Sequence, residues 1–215
     1  MQARAPRPET ALPEFTENSV TLRGEWIARL TPAEFETFCL QGAHKRHRIE
    51  RPFADCLLVS PPQGEQASAW ILAVGGQLGE WNKSSRLGSC SGSNTNFCLA
   101  DGAVLSPDVA WLSAVRWHGL TDAERMGFPR VPPTFVAEIV SWGESLPWLE
   151  AKMDLWRTNG VRLGWLIVPE TQTVLIFREG RFGYETVQGF DGVVSGEPVL
   201  PGFSLDLRAL QVLLS

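Results

Sequence analysis

Apolar residues recur at helical spacing in several stretches of the chain, and capping residues mark where the predicted helices begin. In EQASAWILAVGGQLGEW, large apolar side chains are three or four residues apart, which predicts a helix despite two adjacent glycines. In LTPAEFETFCLQG, Thr31 is a candidate N-cap, Pro32 is at the first helical position, and Glu34 completes a capping box. Gly42 is the candidate stop of this second helix.

Further helices are indicated by the same signals. Thr121 and Glu124 form another capping box before a short helix. Ser145 is the candidate N-cap of a longer helix that Gly160 ends. The C-terminal stretch VLPGFSLDLRALQVLL predicts a strand edge followed by a short helix.

Runs of apolar residues bounded by turn residues predict the strands. RIERPFADCLLVSPP is typical of a hairpin, and NFCLADGAVLSPDVAWLS of two strands joined by the turn ADGA. One strand is expected in TFVAEIVS and three more in LGWLIVP, TVLIFRE and RFGYETV. The whole pattern predicts an α/β fold with a mixed central sheet flanked by helices and two strand–helix–strand passages. Residues 26–215 are expected to form a single domain, after an extended or poorly ordered segment over residues 1–25.

Composition narrows the class of protein. The chain has 215 residues, 44% of them hydrophobic, which is enough for one sizeable domain with a packed core. Its apolar runs are too short to span a bilayer, and the N-terminus lacks the apolar stretch of a secretory signal. The four cysteines contain no C-x-x-C pair and complete no zinc pattern with the histidines. Buried reduced thiols, and with them a cytoplasmic location, are therefore expected.

The charge of the chain bears on nucleic acid as a partner. A net charge of −5 argues against general phosphate binding, because proteins that bind in this way are usually basic. It does not exclude a nuclease whose catalytic carboxylates are neutralised by a metal ion. The densest basic stretch, His44–Arg51, is interpreted as a solvated loop and strand edge.

Two carboxylates and a lysine are the candidate catalytic groups. Asp108 follows a proline at the start of an apolar strand, and Glu138 lies among apolar neighbours in TFVAEIVS. A buried carboxylate needs a partner for its charge, and a divalent cation shared by two neighbouring strands would be one. Lys152, on the next predicted helix, could reach back toward a bound phosphate or an attacking water. For each acid, pairing with an arginine or the backbone remains an alternative, as does a surface position for Lys152.

The ordered stretches RIER, SPDVAWLS, FVAEIVS, LEAKMDLWRTNGVRLGWLIVPE and VLPGFSLDL resemble the Uma-type restriction endonucleases of the PD-(D/E)xK nuclease superfamily. The resemblance covers most of the chain, from Leu30 to Leu210. It implies a restriction-endonuclease-like core, in which a central sheet is flanked by helices. The implied activity is metal-dependent hydrolysis of phosphodiester bonds in nucleic acid, with DNA as the substrate.

The resemblance also implies roles for individual residues. Asp108 and Glu138 would bind Mg²⁺, for which Mn²⁺ can substitute, with the backbone carbonyl of Ile139 as an extra ligand. Glu50, in RIER, would complete the metal shell. Lys152 would orient the water or stabilise the transition state.

Three positions depart from the pattern. Val140 is apolar where many members of the superfamily have the lysine, although placing the lysine on the following helix is itself a feature of the Uma-type pattern. Trp142 in SWGES replaces a proline, and Trp156 replaces a tyrosine. These departures leave open a member with altered substrate or reduced activity.

Other functions remain open at this stage. A catalytically degenerate nuclease fold could act as a binding or regulatory module, and a structural α/β protein could use its acids only in turns and in the core. A homodimer would suit a substrate with two strands. Trp111, Trp142 and Trp148 fall near the candidate site, where stacking on a base is possible.

Overall fold

The structure, a computed structural model, describes residues 19–41 and 47–214. In these ranges the strands are β1 (Val20–Arg23), β2 (Arg48–Phe53), β3 (Cys56–Ser60), β4 (Gly88–Gly92), β5 (Phe97–Cys98), β6 (Val104–Leu105), β7 (Val109–Ser113), β8 (Phe135–Ile139), β9 (Leu163–Val168), β10 (Thr173–Arg178), β11 (Glu185–Gln188), β12 (Val193–Ser195) and β13 (Ser204–Asp206). The helices are α1 (Glu25–Ala28), α2 (Pro32–Leu40), α3 (Glu65–Ser85), α4 (Ala114–His118), α5 (Asp122–Met126), α6 (Leu146–Thr158) and α7 (Arg208–Gln211), followed by a 3-10 turn at Val212–Leu214.

A six-stranded main sheet has the order β11-β10-β9-β8-β7-β4. Strands β8 and β9 are parallel and are joined by the crossover helix α6, whereas the other neighbours are antiparallel. The sheet is therefore mixed and has helices packed against it, which confirms the predicted fold class. The second predicted passage, β3–α3–β4, connects this sheet to a separate one.

That separate small sheet is antiparallel and five-stranded, with the order β1-β3-β2-β6-β5. Its centre is the predicted hairpin of β2 and β3. A further ribbon pairs β12 with β13. The sequence did not predict a second sheet, because its strands are short and are separated along the chain by α3.

The capping residues act as predicted. Thr31 accepts a hydrogen bond from the backbone N–H of Glu34, whose side chain accepts from the N–H of Thr31 in return. Thr121 and Glu124 repeat the arrangement at α5. Both capping boxes occupy two otherwise unpaired N–H groups at a helix start. The predicted stop at Gly42 lies outside the described residues.

The two faces of the main sheet pack against different helices. Odd-numbered residues of β8 belong to the apolar cluster that contains the buried face of α3. Val136 of β8 and Ala110 of β7 belong to the cluster that contains the buried face of α6. Because side chains alternate along a strand, Glu138 and Asp108 share the α6 face of the sheet.

One expectation needs correction. The strand predicted across GAVLSPDVAWLS is two strands in different sheets, because the chain leaves the small sheet after β6 and enters the main sheet at β7. The segment predicted as extended or poorly ordered over residues 1–25 contains β1, which pairs with β3, and its first eighteen residues lie outside the described part of the chain. No helix in residues 19–41 or 47–214 has both the length and the apolar character needed to cross a membrane.

Candidate active site

Asp108 lies where the chain passes from the small sheet into the main sheet. It immediately precedes β7, which pairs with β8 in the register Val109 to Ala137. Continued by one residue, this register places Asp108 opposite Glu138. Both acids are buried, with 2% and 0% of their surface exposed. The structure therefore brings the two predicted acids together on one face of the sheet.

The carboxylate of Asp108 is fully engaged by neighbouring donors. Its Oδ2 accepts a 2.9 Å hydrogen bond from the backbone N–H of Ile139. Its Oδ1 accepts from the side chains of Gln63 and Arg48, each at 2.9 Å. The alternative of an arginine and a backbone partner for this acid is thus realised in the structure. The ligand role of the Ile139 carbonyl stays a prediction.

Lys152 is fully buried, so the alternative of a surface lysine does not hold. Its ammonium lies 2.9 Å from Oε1 of Glu138 and 3.0 Å from Oε1 of Glu50. It also donates to the backbone carbonyl of Ser106 at 2.8 Å. A lysine ammonium has three N–H donors, and these three acceptors account for all of them.

Glu50 brings the small sheet into the site. It lies in β2, and its Oε1 accepts a 2.8 Å hydrogen bond from the backbone N–H of Ser106 as well as the contact from Lys152. Glu138 has a second donor too, since the indole N–H of Trp156 lies 2.9 Å from its Oε1. The site is therefore built from β2, β8, α6 and the segment between β6 and β7.

Arg48 is a member of the site that the sequence interpretation missed. Its guanidinium contacts Asp108 at 2.9 Å, Glu144 at 3.5 Å and Glu50 at 3.7 Å, and its side chain is 13% exposed. The interpretation of His44–Arg51 as a solvated stretch is wrong for Arg48 and for the buried Arg51, and residues 44–46 of that stretch lie outside the described residues. A signal was available, because Arg48 is two residues before Glu50 on β2 and alternate residues of a strand share a face.

The surroundings drive the carboxylates of the site in different directions. Burial raises the pKa of Glu138 to about 7, against the opposing effect of Lys152. Burial would also raise the pKa of Glu50, but Lys152 and Arg48 outweigh it and the pKa falls below its usual value. Burial, followed by the charge of Asp108, raises the pKa of Glu144. Near neutral pH Glu138 is therefore partly protonated, whereas Glu50 stays ionised.

The chemistry of the site fits a divalent cation. Oε2 of Glu50 and Oε2 of Glu138 are buried without a hydrogen-bond partner among the described residues. Four carboxylates, from Glu50, Asp108, Glu138 and Glu144, face two basic side chains, which leaves a formal charge of −2 when all are ionised. Hard carboxylate oxygens are the ligands that Mg²⁺ prefers.

In the structure these acids nevertheless surround two basic side chains rather than a preformed metal position. Among the described residues, no three His, Cys, Asp or Glu side chains are already disposed to hold a metal ion. The ammonium of Lys152 and the guanidinium of Arg48 lie between the carboxylates instead. A cation bound by Asp108 and Glu138 would have to compete with these two internal charges.

A cavity of about 320 Å³ adjoins the acids at Arg48 and Glu144, while Glu50, Asp108 and Glu138 lie behind its wall. Arg48, Gln63 and Glu144 line it, together with Trp142. Arg48 and Gln63 both contact Asp108, so the cavity wall includes the residues next to the buried acid. A ligand in this cavity would meet the acid cluster at the guanidinium of Arg48.

The mixed sheet with flanking helices belongs to the restriction-endonuclease-like class of folds. More particularly, the chain belongs to the Uma2 family, whose model, described as "Putative restriction endonuclease", matches residues 32–208. The family inferred from the resemblance is thereby confirmed.

A solved structure shares the fold. It is the crystal structure of a "putative nuclease belonging to DUF820" from Anabaena variabilis, with a TM-score of 0.69 and 20% sequence identity, covering 86% of this chain and 99% of that chain. At this identity the likeness shows the fold alone. No curated protein matches the chain.

Proposed function

We propose that this protein is a divalent-metal-dependent endonuclease that hydrolyses phosphodiester bonds, with DNA as its substrate. The observation that carries the proposal is the buried cluster of Glu50, Asp108 and Glu138, in which two carboxylate oxygens have no hydrogen-bond partner among the described residues, beside a cavity whose wall includes Arg48. Membership of a family described as restriction endonucleases supports the same reaction class.

Asp108 and Glu138 are the proposed main ligands of Mg²⁺ or Mn²⁺, with Glu50 and the carbonyl of Ile139 completing the shell. The ion, when bound, would lower the pKa of a water and neutralise charge that develops on the phosphate. The hydrogen bond from the N–H of Ile139 holds Asp108 in orientation toward β8. Glu50 supplies its carboxylate from the other sheet, so the site depends on how the two sheets pack.

In this proposal the first role of Lys152 is to position the carboxylates of Glu50 and Glu138. It holds Glu50 and Glu138 together by one ammonium, and its third donor is bound to Ser106. Stabilisation of the transition state by Lys152, which the family resemblance implies, requires it to give up one of these three partners. In a site shielded from water, a positive charge released in this way acts strongly on phosphate oxygens.

A cleavage assay tests the proposal. Plasmid DNA and labelled DNA and RNA oligonucleotides are incubated with the full chain in Mg²⁺, in Mn²⁺ and in excess chelator. We expect cleavage of DNA that requires the metal and is lost, by orders of magnitude in rate, in Asp108→Asn and Glu138→Gln. Asp154→Asn is the matched control, because Asp154 is a half-exposed acid on α6 whose carboxylate, within the described part of the chain, pairs only with Arg157.

The outcomes of this assay test the residue assignment, the metal requirement and the substrate separately. Cleavage by either site variant at the rate of the unchanged protein contradicts the residue assignment. Cleavage that persists in chelator contradicts the metal requirement, and preference for RNA corrects the substrate. Sedimentation of the active form checks whether it is a homodimer, which a two-stranded substrate would suit.

A second candidate function is a nuclease fold that binds nucleic acid without cutting it. The observation that favours it is the occupation of the acid cluster by Lys152 and Arg48. Calorimetry separates the two functions. An endonuclease should bind Mg²⁺ or Mn²⁺ with an affinity that falls in Glu138→Gln, whereas absence of metal binding by a chain that still binds oligonucleotides supports the binding module.

A further inference from the structure

Trp142 is a large aromatic side chain that the fold leaves in solvent. It is 92% exposed, whereas Trp111 and Trp148, the other tryptophans predicted near the site, are 3% and 2% exposed. Trp111 and Trp148 are thus core residues. An exposed indole does nothing for packing and loses the free energy that burial would provide.

The backbone that carries Trp142 is tightly ordered by its own hydrogen bonds. The carboxylate of Glu144 accepts from the backbone N–H and from the hydroxyl of Ser141 at 2.9 and 2.8 Å, and the N–H of Glu144 donates to the carbonyl of Ser141. Gly143 completes the turn with a φ of +81°, which only glycine adopts without strain. The indole is therefore attached to a hydrogen-bonded turn, which limits the backbone entropy that a ligand contact would cost.

The turn lies directly at the candidate active site. It follows β8, so Trp142 is four residues after Glu138, and Glu144 of the same turn contacts Arg48. Trp142, Arg48 and Gln63 line one cavity, and the latter two contact Asp108. The indole of Trp142 thus lies on the same cavity wall as two residues that contact the buried Asp108.

We propose that Trp142 stacks on an unpaired base of the nucleic-acid substrate next to the bond that is cleaved. This inference rests on the proposed function, since it assigns the substrate class of the same site. Every base has an aromatic face, so stacking on an indole needs no particular sequence. In an intact duplex neighbouring base pairs cover both faces, so the substrate needs single-stranded or locally opened nucleotides.

The charge of the chain favours stacking over phosphate contacts as the source of affinity. With a net charge of −5, the chain has little excess of basic groups to neutralise phosphates. Stacking does not depend on that charge. Binding should consequently be less sensitive to salt than binding by a basic groove.

Fluorescence anisotropy of labelled oligonucleotides tests the proposal. The full chain is titrated against single-stranded and duplex forms of one sequence, as DNA and as RNA, in Ca²⁺, with intact oligonucleotide verified on a gel. The unchanged protein should bind single strands more tightly than duplex. Trp142→Ala should weaken single-strand binding by roughly 5- to 150-fold, as expected for loss of stacking on one base.

Three comparisons make the assignment specific. Trp142→Phe should retain most of the affinity, because a benzene ring also stacks. Phe182→Ala is the matched control, since Phe182 is 100% exposed and does not line the cavity. Removing all bases from the oligonucleotide should weaken binding by the unchanged protein and leave binding by Trp142→Ala nearly unchanged, because stacking that needs no particular sequence has no fixed register.

The failure of this inference can be told apart from failure of the proposed function. If Trp142→Ala binds single strands as tightly as the unchanged protein, or loses duplex and single-strand binding equally, the stacking role is overturned while the nuclease proposal stands. If the unchanged protein binds neither DNA nor RNA in any form, both fail. An intact preference for single strands in Trp142→Ala also overturns the stacking role.

Discussion

The ammonium of Lys152 lies 2.9 Å from a carboxylate oxygen of Glu138, and both side chains are 1% exposed. Glu138 has apolar neighbours in sequence, which is why a metal ion is the partner expected for it. The structure shows a nearer partner on α6. The acid cluster is consequently compensated in part by the protein's own basic groups, and this bears on stability, pH dependence and metal affinity.

Replacing Lys152 with methionine should strongly destabilise the protein. The change leaves the carboxylates of Glu50 and Glu138 buried without their shared ammonium, and breaking a buried ion pair in this way costs about 3–5 kcal/mol. Urea unfolding followed by fluorescence measures the loss. The loss of stability should be smaller at pH 5, where Glu138 can take up a proton.

Lys83→Met is the control for this change. Lys83 is exposed near the end of α3, and its removal should leave the free energy of unfolding almost unchanged. Equal stability of Lys152→Met and Lys83→Met would mean that the buried ammonium does not compensate the two acids.

The stability of the metal-free protein should fall as pH rises from about 5 to about 8. Burial raises the pKa of Glu138 to about 7 in the folded state, whereas an exposed glutamate in the unfolded chain titrates near 4.3. The folded state therefore binds the Glu138 proton more tightly than the unfolded state does. The stability that this proton contributes is complete below the pKa of the unfolded chain and is lost as the pH rises through the pKa of the folded protein. The loss is on the order of 3 kcal/mol.

Glu138→Gln isolates this effect. Glutamine keeps an oxygen that can accept from Lys152 and Trp156, but it does not titrate. The free energy of unfolding of this variant should change much less with pH over the same window. Parallel pH profiles for the two proteins would assign the dependence to another group.

The convergence of Asp108, Glu138 and Lys152 was predictable because each residue lies on an element that its own stretch of sequence predicts. An acid that begins one strand, an acid inside the next, and a lysine on the crossover helix meet wherever the strands are neighbours. The capping boxes were equally clear, since each is complete within four residues. Short-range signals of this kind do not depend on how distant segments pack.

The contacts that define the charge state of the site, in contrast, join residues that are far apart in the sequence. The separate small sheet brings Glu50 and Arg48 to the acids, and the apolar run through Ser106 does not reveal that the chain changes sheets there. Lys152 has the residue type of a surface position, and only the packing of α6 buries it. These features arise from contacts between distant residues, such as Lys152 with Ser106, 46 positions away, and Arg48 with Asp108, 60 positions away, which periodicity does not report.

Gly88→Ala should detach or strain the edge strand β4. Gly88 lies opposite Ser113 of β7, and an added Cβ would overlap the backbone carbonyl of Leu112 and press on the ring of Trp111. Overpacking of this kind costs about 1–3 kcal/mol, measurable by thermal unfolding. Gly92→Ala, at the other end of β4 with open space around its Cα, is the control and should have no such effect.

Arg48→Met should raise the affinity of the protein for Mg²⁺ or Mn²⁺ by about tenfold or more. The guanidinium lies 2.9 Å from Asp108, so it occupies part of the space and charge that a cation at this acid would use. Arg51→Met is matched to it in strand and residue type, but Arg51 donates to the carbonyls of Leu30 and Gly102 and contacts none of the acids. Titration calorimetry should show tighter metal binding for Arg48→Met alone. Unchanged or weaker binding would mean that Arg48 orients Asp108 for the metal, rather than competing with it.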